Sequence, residues 1–219
     1  MIEWEMNNYN KNIISLVKIG NQTFYGSSSN SLVSVENDVV TNYSLQNTNN
    51  LIDSNENIVS LLTDLDGNLW GAKSHSYYPL FCKTNQEEWI GFSMPLVANQ
   101  TIKIGEMIID DYGQKWGIKP CLGLFVYNNN NTISDKSDDQ FTNIKIGVGN
   151  GNLPHNCVYC LANDLEGNIW VGTREGVCVF YSPSSVFSGY DFDAQQIIVE
   201  ENGFGQYLLN SEIVYTIAI

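Results

Sequence analysis

Four groups of residues have types and spacings that suggest chemistry. Asp64, Asp66 and Asn68 alternate as the opening ligands of a calcium loop do, but the bidentate Glu and the remaining ligands do not follow. Asp135, Asp138 and Asp139 form an acidic stretch that would hold an ion only loosely; a solvated, mobile loop is the simpler reading. Cys157 and Cys160 have the spacing of a metal or redox pair. A zinc site needs a second such pair, and a redox pair precedes a helix. Here the two enter a strand, where positions i and i+3 face opposite sides. His75 lies beside Tyr77 and Tyr78 in a polar loop, a grouping that would serve as an acid–base pair or as a platform for stacking a sugar ring. His155 is the other histidine, also in a loop. The five cysteines (82, 121, 157, 160 and 178) are odd in number and show no paired framework, so free, mostly buried thiols are expected. No catalytic, metal or cofactor site is assigned from these residues.

Charge narrows the classes further. The chain of 219 residues carries a formal net charge of −14, with nine Lys and the single Arg174. Nucleic acid and anionic membrane surfaces both require clustered cations and are poor partners. A carboxylate-binding enzyme site built from several Arg is excluded by the count. No Gly-x-Ser-x-Gly elbow and no phosphate loop occurs. No apolar run is long enough to span a bilayer, and no signal pattern opens the sequence. Charged residues are only 16% of the total, below the usual quarter, with Asn, Ser, Thr and Gly supplying polarity. That composition leans towards an exported β-protein.

The elements that would position such residues come from a repeat. Asp64, Gly67 and Trp70 recur as Asp110, Gly113 and Trp116, and as Asp164, Gly167 and Trp170. A worn copy has Phe24 in place of Trp. The aromatic positions are spaced by 46, 46 and 54 residues. Each copy reads as strand, turn, strand. The Asp bonds to the backbone ahead of it and the Gly supplies a positive φ. Gly172, two residues beyond Trp170, leaves room for a neighbour to approach. A period of this length holding several short strands predicts an all-β propeller of four-stranded antiparallel blades. Trp70, Trp116 and Trp170 are expected to pack between blades.

Taken in order, blades are expected at about 12–48, 58–99, 106–148 and 156–209, with single strands of neighbouring blades at 1–8 and 213–219. In the fourth, the outer strand is placed near Gln196–Glu200. Trp4 and Trp89 fall on outer strands, half exposed. A cut through a blade leaves strand edges open, so the two terminal segments are expected to pair with another chain or to fray.

The string Asp-x-x-Gly-Asn-x-Trp-x-Gly-Thr followed by Gly-Val-x-Val-Phe resembles the two-component-regulator propeller repeat. Around the fourth copy stand Gly149-Asn150-Gly151-Asn152-Leu153-Pro154-His155-Asn156, Pro183-Ser184-Ser185-Val186-Phe187-Ser188 and Gln206-Tyr207-Leu208-Leu209. Together these are similar to the PorZ-like β-propeller proteins of the type IX secretion system. The resemblance implies a longer exported parent working at the periplasm or outer-membrane surface. It implies a non-catalytic role, with secretion-system proteins and anionic lipopolysaccharide or glycan as partners. It supplies no functional residues for these positions. The periplasmic region of a hybrid two-component receptor uses the same repeat and is the alternative. A carbohydrate-active propeller enzyme is a third reading.

Overall fold

The computed structural model describes residues 12–28, 31–94, 103–189, 192–201 and 203–219. The strand expected at 1–8, Trp4 and the end of the second blade at 95–99 lie outside them. Four antiparallel four-stranded sheets follow one another along the chain, each in simple sequential order. The first holds β1 (Ile13–Ile19), β2 (Gln22–Ser27), β3 (Leu32–Glu36) and β4 (Val39–Asn42). The second holds β5 (Asn57–Thr63), β6 (Leu69–Ser74), β7 (Leu80–Lys83) and β8 (Trp89–Phe92). The third holds β9 (Met107–Ile109), β10 (Lys115–Lys119), β11 (Gly123–Asn128) and β12 (Gln140–Ile144). The fourth holds β13 (Val158–Asn163), β14 (Ile169–Thr173), β15 (Gly176–Phe180) and β16 (Gln195–Gln196). These sheets are the blades of a β-propeller.

Three apolar cores lie in the seams between successive blades. The first packs Phe24 and Leu32 of blade one against Ile58, Leu69 and Phe81 of blade two. The second packs Trp70 and Phe92 against Met107, Phe125 and Tyr127. The third packs Trp116 and Val126 against Leu161, Ile169, Val171 and Phe180. The aromatic residue of each blade's second strand is therefore the wedge for the blade that follows. Trp70 and Trp116 are fully buried. Trp170 is only half-buried, because no further four-stranded sheet lies against it among the described residues. Trp89 is half-buried, as expected.

The turn between the first two strands explains the Asp. Asp64 Oδ1 accepts the N–H groups of Asp66 at 3.1 Å and Asn68 at 2.9 Å. Its Oδ2 accepts the Asn68 amide at 2.9 Å and the indole N–H of Trp70 at 2.8 Å. Asp110 repeats the pattern with Tyr112, Gln114 and Trp116, and Asp164 with Glu166, Asn168 and Trp170. Gly67, Gly113 and Gly167 hold φ between 75° and 80°, the conformation that only Gly adopts without strain. The carboxylate thus fixes both the turn and the rotamer of the wedge. In the first blade Lys18 stands six residues before Phe24, so the carboxylate and the indole donor are absent together.

Two expectations about the chain's last quarter are corrected. The outer strand of blade four is only Gln195–Gln196. Ile198–Glu201 (β17) pairs instead with Phe204–Tyr207 (β18) in a separate two-stranded sheet. The segment 213–219 forms no strand. It is held at the blade by the Val214 N–H on the Thr173 carbonyl at 2.9 Å, with the Glu212 carbonyl accepting from Gly176 at 3.0 Å.

Candidate ligand face

The blades have two ends with different characters. One carries the Asp turns, which lock to neighbouring loops. Asn68 Oδ1 accepts the Asn85 N–H at 2.9 Å, and Gln114 Nε2 donates to the Pro183 carbonyl at 3.0 Å. At this end the calcium reading fails on atoms already used. Both oxygens of Asp64 are taken by N–H donors, and Asn68 is bonded through its nitrogen and its oxygen. Burial opposes the charge on Asp164, but the Trp170 indole, the Asn168 amide and two backbone N–H groups outweigh it. They hold the carboxyl below its ordinary range.

The acidic stretch, expected as a mobile loop, carries hydrogen bonds on each of its three carboxylates. Asp139 accepts from the Tyr127 hydroxyl at 2.7 Å, Asp138 from Thr132 at 2.9 Å, and Asp135 from Ser137 at 2.7 Å. Lys136 crosses to the Gly91 carbonyl at 2.5 Å and lies over the Phe92 ring. Among the described residues no three His, Cys, Asp or Glu side chains are grouped as metal ligands would be.

The other end carries the turns between second and third strands and the connectors between blades. His75, Tyr77 and Tyr78 sit in the β6–β7 turn. All three are exposed, Tyr77 at 64% and Tyr78 at 53%. His75 takes a left-handed φ of 64° and its Nδ1 pairs with Ser74 Oγ at 3.0 Å, not with a tyrosine hydroxyl. Ser76 braces the turn, accepting from the Tyr78 N–H and donating to Glu56. The three side chains are thus brought to one rim without an acid–base contact, and the stacking surface remains. His155 Nδ1 accepts the Cys157 N–H at 2.9 Å, a brace within its loop. In the connector 147–154, Gly149 and Gly151 donate their N–H groups to the two oxygens of Asp193 at 2.7 and 2.8 Å.

The cysteine expectation is corrected at this same end. Cys121, in the β10–β11 turn, is disulfide-bonded to Cys157, in the connector to blade four. Cys82, Cys160 and Cys178 are free and buried, as read. Burial pushes the Cys82 thiol up to about 12. The bonded pair is 36 residues apart in sequence and meets only because a turn of one blade abuts the connector to the next.

Lysines are the functional candidates that sequence reasoning missed. Lys73, Lys83, Lys115 and Lys119 are each at most 6% exposed. Lys73 bonds the Leu51 carbonyl and Glu56, and Lys83 pairs with Glu87. Lys115 lies over the Trp70 ring, 3.9 Å from its centroid, and donates to Asn129 at 2.5 Å. Burial pushes its ammonium down to about 8. Lys115 stands five residues after Asp110, where the other copies have Leu69 and Ile169. That break in an otherwise apolar repeat position was the available signal. Along the inner strands, Ser15, Ser60 and Glu106 line an open cavity of about 370 Å³. Ser15 and Ser60 there accept the N–H groups of Leu61 and Met107 of the next blade.

Comparison with known proteins agrees with this architecture. Residues 152–175 match the family described as two component regulator propeller. No curated protein matches the sequence. Among solved structures, PorZ is similar over 93% of this chain and 29% of its own, at 24% identity and a TM-score of 0.78; it is described as an essential bacterial surface component of the type-IX secretion system of Porphyromonas gingivalis. The extracellular domain of the hybrid two component system BT3049 from B. thetaiotaomicron is similar over 84% of this chain and 22% of its own, at 20% identity and a TM-score of 0.61. Virginiamycin B lyase from Staphylococcus aureus is similar over 89% of this chain and 58% of its own, at 8% identity and a TM-score of 0.59. The chain therefore spans under a third of the first two proteins. At these identities the likeness is one of fold.

Proposed function

We propose that this chain is part of a non-catalytic propeller scaffold at the bacterial surface, similar in role to PorZ. In this reading it presents its connector end to a surface glycan such as lipopolysaccharide and to secretion partners. The observation that carries it is the exposed Tyr77–Tyr78 turn, held open by Ser76 and Glu56 at a rim where no acid–base pair is formed. Aromatic faces of that kind stack on sugar rings. With four lysines buried and the chain strongly acidic, contact at this turn falls on the sugar. Export is supported by the Cys121–Cys157 bond, which suits an oxidising compartment. The test is binding of lipopolysaccharide to the purified chain, with Tyr77→Ala and Tyr78→Ala alongside. Several-fold weaker binding in each, with unchanged stability, is expected. Equal binding by wild type and both variants would remove the turn from the reading.

The family match at residues 152–175 and the likeness to BT3049 favour one second reading: a periplasmic glycan-sensing region of a hybrid two-component receptor. The reading frame beyond Ile219 separates the two, since a membrane span followed by a kinase belongs only to the receptor. An enzyme reading would be revived by turnover of an acidic glycan.

A further inference from the structure

One repeat position is met in three ways. Lys73, Lys119 and Thr173 each stand nine residues after their Asp, at the connector end of the second strand, and all are buried. Thr173 is neutral and satisfied, donating to the Gly176 carbonyl at 2.9 Å and accepting the Glu175 N–H at 3.1 Å. Lys73 is charged and compensated, with Glu56 3.0 Å away and the Leu51 carbonyl as a second acceptor. Lys119 is charged and has no counter-ion among the described residues. Its ammonium bonds the Asn143 side-chain oxygen, and the two ion pairs among the described residues belong to Lys73 and Lys83.

A charge of the same sign stands beside it: Lys119 pairs with Gly123 across the β10–β11 turn, and a Cβ on Gly123 would lie 3.4 Å from Lys145 Cγ. Burial and then Lys145 push the Lys119 ammonium below the ordinary range. The Gly105 N–H bonds the Ile118 carbonyl at 2.9 Å, which brings exposed Lys103 to this end as well. The acidic residue on the facing segment is Glu106, whose carbonyl accepts the Ile118 N–H at 2.9 Å and which lines the inner cavity. A buried ammonium with one acceptor leaves donors unused and its charge uncompensated, an arrangement that costs stability unless an anion completes it.

We propose that Lys119 and Lys145, with Lys103 at the rim, form a binding site for a phosphate group. The bound anion would take the place that Glu56 fills in blade two. The acidity of the whole chain does not forbid this, because charges more than about 10 Å away are largely screened at physiological salt. The site is separate from the tyrosine turn and stands whether or not that turn binds sugar.

Two substitutions copied from the repeat's own solutions test it. Lys119→Thr imports the neutral arrangement of blade four. Asn143→Asp supplies a carboxylate within the chain, as Glu56 does for Lys73. Inorganic phosphate and a hexose 1-phosphate would be titrated against wild type and both variants by calorimetry, with Lys136→Ala as a distant control. Saturable binding to wild type and to the control is expected, weakened by about tenfold or more in both variants. The Asn143→Asp protein should also melt higher. If only the sugar phosphate binds, the ligand is a phosphorylated glycan; if both bind, the phosphate alone suffices. Absence of binding of both ligands to wild type, or equal binding by the Asn143→Asp protein, would overturn the proposal.

Discussion

The seam between blades two and three and the seam between three and four are built on the same plan and filled differently. In the later seam Trp116 packs with Ile169 and Phe180, its ring centroid 5.0 Å from that of Phe180, and Cys121–Cys157 bridges the rim. In the earlier seam the residue over Trp70 is Lys115, and its surroundings are polar: Asn129 on the ammonium, and Tyr127 bonded to Asp139 nearby. One plan thus yields an apolar, covalently fastened joint and a joint with a buried cation. A repeat fixes where a wedge goes, while the side chain facing it decides how the joint responds to acidity and reductant.

The largest effect should come from the wedge itself. Trp116→Ala is expected to cost about 3–5 kcal/mol in urea unfolding, leaving Asp110 short of a donor as well. Trp170→Ala, at a half-buried site, should cost less than half of that. Equal losses would mean that burial in the seam is not what the indole contributes. Next, reduction of Cys121–Cys157, or Cys121→Ser, should lower stability by about 2–4 kcal/mol. Hydrogen exchange should then rise first in β13 and β14 rather than in β5 and β6. Exchange rising evenly across all four blades would erase the distinction between the seams.

The smallest effect is the most specific. Lys115 is held down to about 8 in the fold, against 10.5 when free. Above about 10.5 it is neutral in both states and costs nothing. As pH falls towards 8 the unfolded chain takes up a proton that the fold resists, so stability drops, and below 8 the penalty is constant. The buried Cys82 thiol works in the opposite sense, since its raised value favours the fold only below the range where a free thiol ionises. Lys115→Leu, copying Leu69, should therefore add about 1 kcal/mol at pH 7. It should also remove the rise in stability between pH 8 and about 9, above which the Cys82 thiol acts against it. A variant whose pH profile overlays that of wild type would place Lys115 outside the joint's energetics.

Particular residues show what could be read from the chain and what could not. Asp, Gly and Trp at matched offsets announced the turns and the wedges, because a tight turn and a large buried ring have few chemical solutions. The indole–carboxylate bond was also present in the sequence, as a constant offset of six from Asp to Trp, though it was read only as a backbone cap. Cys121 and Cys157 were not legible as partners, because their meeting depends on which turn faces which connector. The outer strand of blade four failed for a related reason. Ile198–Glu201 has strand-forming residues, and composition does not say which edge a strand will choose. The exposed turn with His75, Tyr77 and Tyr78 is legible from its residue types, whereas Lys119 stands out only against Lys73 and Thr173 at the same repeat position.

The differing environments of the wedges also give the molecule a set of internal optical reporters. Trp116 is sealed beside Ile169 and Phe180, Trp70 sits beneath a cation, and Trp170 is partly open to water. Their emission maxima should fall at three wavelengths, so that opening of either joint is visible in the chain's own light without any added label.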